Sequence, residues 1–237
     1  MPSEHTPLDG KTALVTGGSR GIGLSIARHF AAAGARLAIC GRDDRALAAA
    51  AAIITSAHPG ASVLWVPCDV ARFEQVRHLH ATVDAQLGVP DVIVNNAGVV
   101  VRQRLDEMSE ASWDQVVDAN LKGTFNVTRV FLPQMRTRGS GRIVNIASIS
   151  GRQGTARLTA YCAAKHGVVG LTRALAEETR GVGIQVNAVC PGSVDTDMLK
   201  GSGYAPQMSP DEVANVALYV AAYAPAALTG ACIDVFG

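Results

Sequence analysis

Three side chains in the second half of the chain, Ser148, Tyr161 and Lys165, have the types and spacing for proton chemistry on an oxygen atom. Tyr161 and Lys165 are four positions apart, so on a helix they share one face and their side chains can meet. A phenol ordinarily loses its proton near pH ~10, too high for acid–base work at neutral pH. An ammonium beside it favours the phenolate and lowers that value, while a serine hydroxyl can hold the reacting oxygen. Together the three describe a proton donor aimed at a carbonyl oxygen. The Tyr-x-x-x-Lys pair alone is weak evidence, because so short a pattern recurs by chance on solvated helix faces. Its weight depends on the elements that position it.

The apolar, β-branched run 142–147, bounded by Gly-Ser-Gly and Ser148, reads as a buried strand with Ser148 at its carboxyl end. Near the start of the chain, a short strand over 13–16 leads into Gly17-Gly18-Ser19-Arg20-Gly21-Ile22-Gly23 and an alanine-rich helix to residue 33. Strand, glycine loop and helix is the context that makes a glycine pattern informative. The glycines permit a tight turn and let backbone N–H groups approach a pyrophosphate at the helix N-terminus. The spacing, Thr-Gly-x-x-x-Gly-x-Gly, differs from the G-x-G-x-x-G of most dinucleotide folds, and a loop that needs glycine only for turning is the bland alternative. A second strand, 36–40, ends at Gly41-Arg42-Asp43, where dinucleotide folds commonly carry an acid that holds the adenosine ribose. Glycine in that place, with Arg42 beside it and Arg20 in the loop, suits a ribose 2′-phosphate and favours NADP(H) over NAD(H). Asp43 and Asp44 are expected to open the next helix, where negative charge is favoured.

Further strands are expected over 63–66, 91–94, 184–189 and 232–236, with helices over 44–57, 72–87, 109–135, 156–179 and 209–222. Asp69 and Val70, then Asn95, Ala97 and Gly98, follow strand ends, where ligands bind in open parallel sheets. Asn120 falls inside the helix expected over 109–135, a poor place for asparagine, so a kink or a water is expected to satisfy its amide. Ser209-Pro-Asp-Glu212 reads as a capping box with proline at the first helical position. This alternation predicts an α/β fold, a single Rossmann-type doubly wound domain over 8–237 with a parallel sheet of about seven strands and helices on both faces. Residues 1–7 are expected to form a flexible tail, and 197–208 a short substrate loop.

A chain of 237 residues with 48% hydrophobic content can bury one sizeable core. A net charge of +1 without blocks of like charge gives no reason to expect nucleic acid or an acidic membrane surface. The five cysteines are scattered without metal-ligand spacing, so no metal site is expected and they read as small apolar filler in a reducing compartment. No secretory signal or membrane span is evident, and a cytoplasmic protein is expected.

With these motifs in order, the chain resembles the short-chain dehydrogenase/reductase family from about residue 8 to 237, most closely its bacterial 3-oxoacyl-carrier-protein reductases and related ketoreductases. The resemblance rests on the glycine loop, Cys68-Asp69-Val70, Asn95-Asn-Ala-Gly98, Asn120, Ser148, Tyr161-x-x-x-Lys165 and Pro191-Gly192. It implies that Tyr161 is the general acid in ketone reduction or the base in alcohol oxidation, and that Ser148 stabilises charge on the substrate oxygen. Lys165 would lower the tyrosine pKa and hold the nicotinamide ribose, and Asn120 would position a water feeding a proton relay. Gly17, Ser19, Arg20, Gly21, Ile22 and Gly23 would cradle the cofactor, with Arg42, Ala97 and Gly98 beside them. Asp69 and Val70 would meet the adenine, Asn95 the adenosine ribose, and Pro191, Gly192, Val194 and Thr196 the nicotinamide. Family analogy also implies a homotetramer built on the two long helices, 109–135 and 156–179, and the C-terminal strand.

Two departures bear on substrate. Only eleven residues separate Asp197 from Ser209, where the carrier-protein reductases usually have a longer lid. Their carrier-binding basic positions read Gly139 and Val182, with Arg136, Arg138 and Arg180 close by. The substrate is therefore open between a carrier-bound 3-oxoacyl thioester and a free or cyclic ketone. Arg102, Arg152, Gln153, Leu158, Met198 and Tyr204 are candidates for lining the substrate pocket. A non-catalytic nucleotide sensor or scaffold on the same fold is the alternative from another class. An epimerase or dehydratase using the same Tyr and Lys would be expected to need a larger extension.

Overall fold

The computed structural model describes residues 6–237. Of the expected tail, residues 1–5 lie outside the described residues, while Leu8 is buried and its N–H donates to the Ala33 carbonyl. Seven strands, β1 Thr12–Thr16, β2 Arg36–Gly41, β3 Val63–Pro67, β4 Val92–Asn95, β5 Gly141–Ile146, β6 Ile184–Pro191 and β7 Cys232–Val235, form one sheet in the order β3-β2-β1-β4-β5-β6-β7. Every pairing is parallel.

Strand residues alternate between two cores, as the two-residue side-chain period requires. Ala13, Val15, Leu37, Ile39, Val92, Val94, Val144 and Ile146 face one side, where α1 Gly21–Ala32, α2 Asp44–Ala57 and α7 Pro210–Leu218 pack. Leu14, Ala38, Cys40, Ile93 and Ile143 face the other, against α3 Phe73–Leu87, α5 Gly123–Arg138 and α6 Thr159–Glu178. Burial on both faces explains why these strands read as continuous apolar runs rather than alternating ones. The expected doubly wound fold is therefore observed. Its order reverses between β1 and β4, which opens a crevice at their carboxyl ends.

The helix expected over 109–135 is not continuous. It is divided into α4 Glu110–Val117 and α5 by a wide turn over Asp118–Lys122. Asn120 explains the break. Its side-chain amide donates to the Val116 carbonyl four residues back and to Val99, both at 2.8 Å, so the regular ladder gives way to i→i+5 spacing. A second such turn, Tyr219–Tyr223, ends the helix expected over 209–222. At its start the capping box forms as expected, Ser209 and Glu212 each receiving the other's backbone N–H. The cysteines, scattered in sequence, are all free thiols; Cys40 and Cys68 share one apolar cluster, and Cys190 and Cys232 another.

Between the sheet and α5–α6 runs a buried polar ladder. The Asn95 amide donates to Thr128 Oγ1 (3.1 Å) and Asn145 Oδ1 (2.9 Å), and the Asn145 amide donates to Thr172 Oγ1 (2.8 Å). Removing its centre leaves two buried groups short of partners, which costs more than the bond itself contributes. Asn145→Ala is expected to lower the unfolding free energy by about 2 kcal/mol, read as a lower midpoint in chemical denaturation with unchanged circular dichroism.

Candidate active site

Ser148 stands just past the end of β5. Its hydroxyl accepts the Ser150 N–H at 3.0 Å and so caps a single turn over Ile149–Gly151. That turn lies directly against α6: a Cβ on Gly151 would sit 2.7 Å from the Lys165 carbonyl oxygen. Glycine there lets α6 approach closely enough to bring its first turns beside Ser148. Tyr161 and Lys165 lie one helical turn apart on the buried face, 9% and 4% exposed. Lys165 Nζ donates to the Ile146 carbonyl at 2.7 Å and stands 5.6 Å from the centre of the Tyr161 ring. Asn120 completes the group. Its amide hydrogens are spent on Val99 and Val116, and its buried Oδ1 has no partner within the described residues. All four side chains line one cleft of roughly 560 Å³.

Burial sets the electrostatics here. It pushes the Tyr161 phenol up to about 12, with the neighbouring Ser148 hydroxyl pulling it back and the Arg102 charge adding a smaller pull. The same burial brings the Lys165 ammonium down to about 8. In the chain alone desolvation, which disfavours each charged form, dominates both groups, and a lowering of the Tyr161 pKa by Lys165 does not appear.

The other half of the cleft is the crevice between β1 and β4. Thr16 Oγ1 accepts the N–H groups of Asn96 and Ala97 at 2.9 and 3.0 Å, and the Asn96 amide donates to the carbonyls of Thr16 and Gly17 at 2.9 and 3.2 Å. Gly17 and Gly21 hold φ of 65° and 53°, in the left-handed region that favours glycine. A Cβ on Gly23 would overlap the Gly17 carbonyl oxygen. Beyond them α1 begins with no acidic residue in its first turn and no side-chain cap on its N-terminal N–H groups. An uncapped helix N-terminus above a glycine loop fits the pyrophosphate of a dinucleotide.

The remaining candidates fall around this frame. Ile22, Gly98, Pro191, Gly192, Val194 and Thr196 line the cleft. A Cβ on Gly41 would lie 3.8 Å from Ser19 Oγ, so the end of β2 adjoins the glycine loop. Arg42 beside it is exposed and has no ion pair among the described residues, while Asp43 caps α2 by accepting the Ala46 N–H at 3.1 Å. Arg20 turns the other way and pairs with Asp197 at 3.7 Å. Asp69 accepts the Ala71 N–H, and the Val70 carbonyl accepts the Asn126 amide. The Asn95 amide nitrogen is spent on the polar ladder, while its buried Oδ1 has no partner among the described residues. Of the six candidates for the substrate pocket, Arg102, Gln153, Leu158, Met198 and Tyr204 line the cleft; Arg152 instead pairs with Asp234 at 3.4 Å. Sequence reading missed Asn96 and Gly151 as organisers. Asn96 was readable as part of an Asn-Asn-Ala-Gly run, but nothing in the sequence marks which of two adjacent asparagines faces the loop.

A doubly wound sheet with an anion-ready glycine loop and a Ser–Tyr–Lys group in one cleft defines a dinucleotide-dependent oxidoreductase. The short chain dehydrogenase family profile matches residues 11–206, and the chain belongs to that family. It is 38% identical to the 3-oxoacyl-[acyl-carrier-protein] reductase FabG of Chlamydia trachomatis serovar D, over 96% of each chain. It is 39% identical to the acetoacetyl-CoA reductase of Shinella zoogloeoides, over 96% of this chain and 97% of that one. Among solved structures it resembles a variant actinorhodin polyketide ketoreductase determined with NADPH, at 36% identity, a TM-score of 0.90 and 96% coverage of both chains.

The close approach at Gly23 makes a direct test of the cradle. Gly23→Ala is expected to weaken dinucleotide binding at least about tenfold by fluorescence titration, because the methyl group displaces the Gly17 carbonyl. Unchanged affinity would show that the loop is not the binding element.

Proposed function

We propose that this chain is an NADP(H)-dependent ketone reductase, able to run as the reverse alcohol dehydrogenase, with Tyr161 as its general acid–base. The observation that carries this is the convergence of Ser148, Tyr161, Lys165 and Asn120 on one cleft continuous with the glycine loop. The bound nicotinamide supplies or accepts the hydride. Ser148 donates its hydroxyl hydrogen to the substrate oxygen and fixes it beside the phenol. Tyr161 delivers its proton to that oxygen. With its pKa up at about 12, the phenol is fully protonated at neutral pH, the form that reduction needs. Lys165, one turn along, stabilises the phenolate left behind. The unpartnered Oδ1 of Asn120 can hold a water that returns a proton through Lys165.

Support for NADP(H) comes from Gly41, where an acid would serve NAD(H), and from the free Arg42 cation beside it. A solved relative was determined with NADPH. The relatives' names point to 3-oxoacyl thioesters, and a free or cyclic ketone fits the cleft as well. Arg136, Arg138 and Arg180, the cations nearest to a carrier-binding surface, each pair with an acid of their own chain, Glu178, Asp91 and Glu177. The same reading carries a cytoplasmic location and a homotetramer. A nucleotide sensor is disfavoured because none of the four catalytic groups is lost.

The first test is oxidation of NADPH by the purified protein against ketones and 3-oxoacyl thioesters. Tyr161→Phe is expected to reduce kcat at least about a hundredfold while NADPH binding persists. Tight binding without turnover of any substrate would favour the sensor. The pH profile has a definite sign. Lys165 is depressed to about 8, so its ammonium is present below that pH and lost above it. The kcat/KM for reduction should therefore fall as pH rises through about 8, well before Tyr161 titrates; a profile flat to pH ~10 would remove the lysine charge from the mechanism. For the cofactor, Arg42→Ala should raise the Kd for NADPH about tenfold and that for NADH far less.

A further inference from the structure

Arg102 is the cleft residue that the proposed chemistry leaves without a task. Among the described residues lining the cleft, Lys165 and Arg102 are the charged side chains, and no Asp or Glu is present. Lys165 serves Tyr161. Arg102 is half-buried, makes no ion pair within the described residues, and uses one donor, Nη2, on the Met198 carbonyl at 2.6 Å. A guanidinium offers five N–H donors in a rigid fork matched to a carboxylate. Neighbouring arginines differ: Arg104 pairs with Asp106 and Arg152 with Asp234. Arg102 alone turns an unneutralised fork into the substrate end of the cleft, close enough for its charge to favour the Tyr161 phenolate.

Its mounting is firm. The preceding residues, Val99, Val100 and Val101, pack on the cluster that contains Val116, Ala160 and Tyr161. The following residue, Gln103, donates its N–H to the Arg157 carbonyl at 3.0 Å, which ties this loop to the segment leading into α6. The backbone that carries the cation is therefore held at a fixed place relative to Tyr161, as a subsite for a substrate charge requires.

We propose that Arg102 is an anion subsite that reads a carboxylate on the substrate, so that the physiological ketone is a free oxo-carboxylate and the product a hydroxy-carboxylate. This rests on the ketone-reductase reading above. The cleft that holds Ser148 and Tyr161 also holds this uncompensated positive charge, which a neutral ketone leaves unpaired and a carboxylate satisfies. The fork can bind the carboxylate while Nη2 stays on Met198, so charge recognition and the substrate loop meet at one residue.

The test pairs 2-, 3- and 4-oxo-carboxylates with their methyl esters, and adds a pantetheine thioester of the same skeletons, in wild type, Arg102→Gln and Arg102→Lys. Wild type should prefer an acid to its ester and to the thioester. Arg102→Gln should lower the acid-to-ester ratio of kcat/KM about a hundredfold, chiefly through KM on the acid, and Arg102→Lys should lose less. Thermal shift by the same compounds with NADPH present gives a second readout: an acid-specific stabilisation present in wild type and absent in Arg102→Gln. Equal losses on acid and ester would assign Arg102 a structural role and overturn the subsite, as would a wild-type preference for the thioester. If no ketone is turned over, the reductase reading fails, and the thermal shift still decides whether Arg102 binds a carboxylate.

Discussion

The hydroxyl of Thr16 is the point on which the cleft depends. At the end of β1 it accepts the N–H groups of both Asn96 and Ala97, while the Asn96 amide reaches back to the carbonyls of Thr16 and Gly17. The sheet order reverses here, so β1 and β4 send their helices to opposite faces and their ends would otherwise part freely. The clamp fixes the glycine loop against the segment after β4. That segment then carries Gly98 against Asn120 and, a few residues further, Arg102 into the substrate end. A few neutral, half-buried hydrogen bonds thus connect the two halves of the cleft.

The reactive half is built on a different physical term. Tyr161 and Lys165 are both buried, and burial moves their pKa values apart, the phenol up to about 12 and the ammonium down to about 8. The sequence suggests that the ammonium activates the phenol. The structure shows that in the chain alone both prefer their neutral forms more than they would in water. A protonated phenol is a ready acid, the form that the proposed reduction would draw on. Oxidation needs the phenolate, and therefore additional positive charge or hydrogen bonding at the moment of reaction.

The sheet and its helices were legible because their signals are redundant: strand runs, glycine and aspartate punctuation, and capping boxes each point to the same element. Helix α2 and the Ser209–Glu212 cap match their sequence signals closely. The site was legible in its residue types and less so in its geometry. Asn120 carried a visible conflict with helix propensity, and the conflict resolved as an interruption of the helix. Asn95 reads as a ligand contact from its place at a strand end, and the structure adds an interior task, its amide nitrogen donating to Thr128 and Asn145 while Oδ1 stays unpartnered among the described residues. Which way a side chain points at a strand end depends on register with its neighbours, and one strand's sequence does not contain that. Likewise the closeness of Gly151 to Lys165 is a tertiary contact with no local signature.

The loop between β6 and α7 shows how a short segment can still cover a cleft. At its base, Val194 bridges to Met208, Asp195 N–H donates to the Met208 carbonyl, and Gln207 N–H donates to Ser193. Its first turn is then held from both sides. Arg20 of the glycine loop pairs with Asp197, and Arg102 donates to the Met198 carbonyl. The segment contributes Val194, Met198, Leu199 and Tyr204 to the cleft lining, beside the polar contacts from the two groups that flank it. Exposed ion pairs of this kind contribute little stability individually. The Arg20–Asp197 pair can therefore be given up at small cost. A short segment tied down by a few polar contacts thus reaches the cleft without any long lid sequence to announce it.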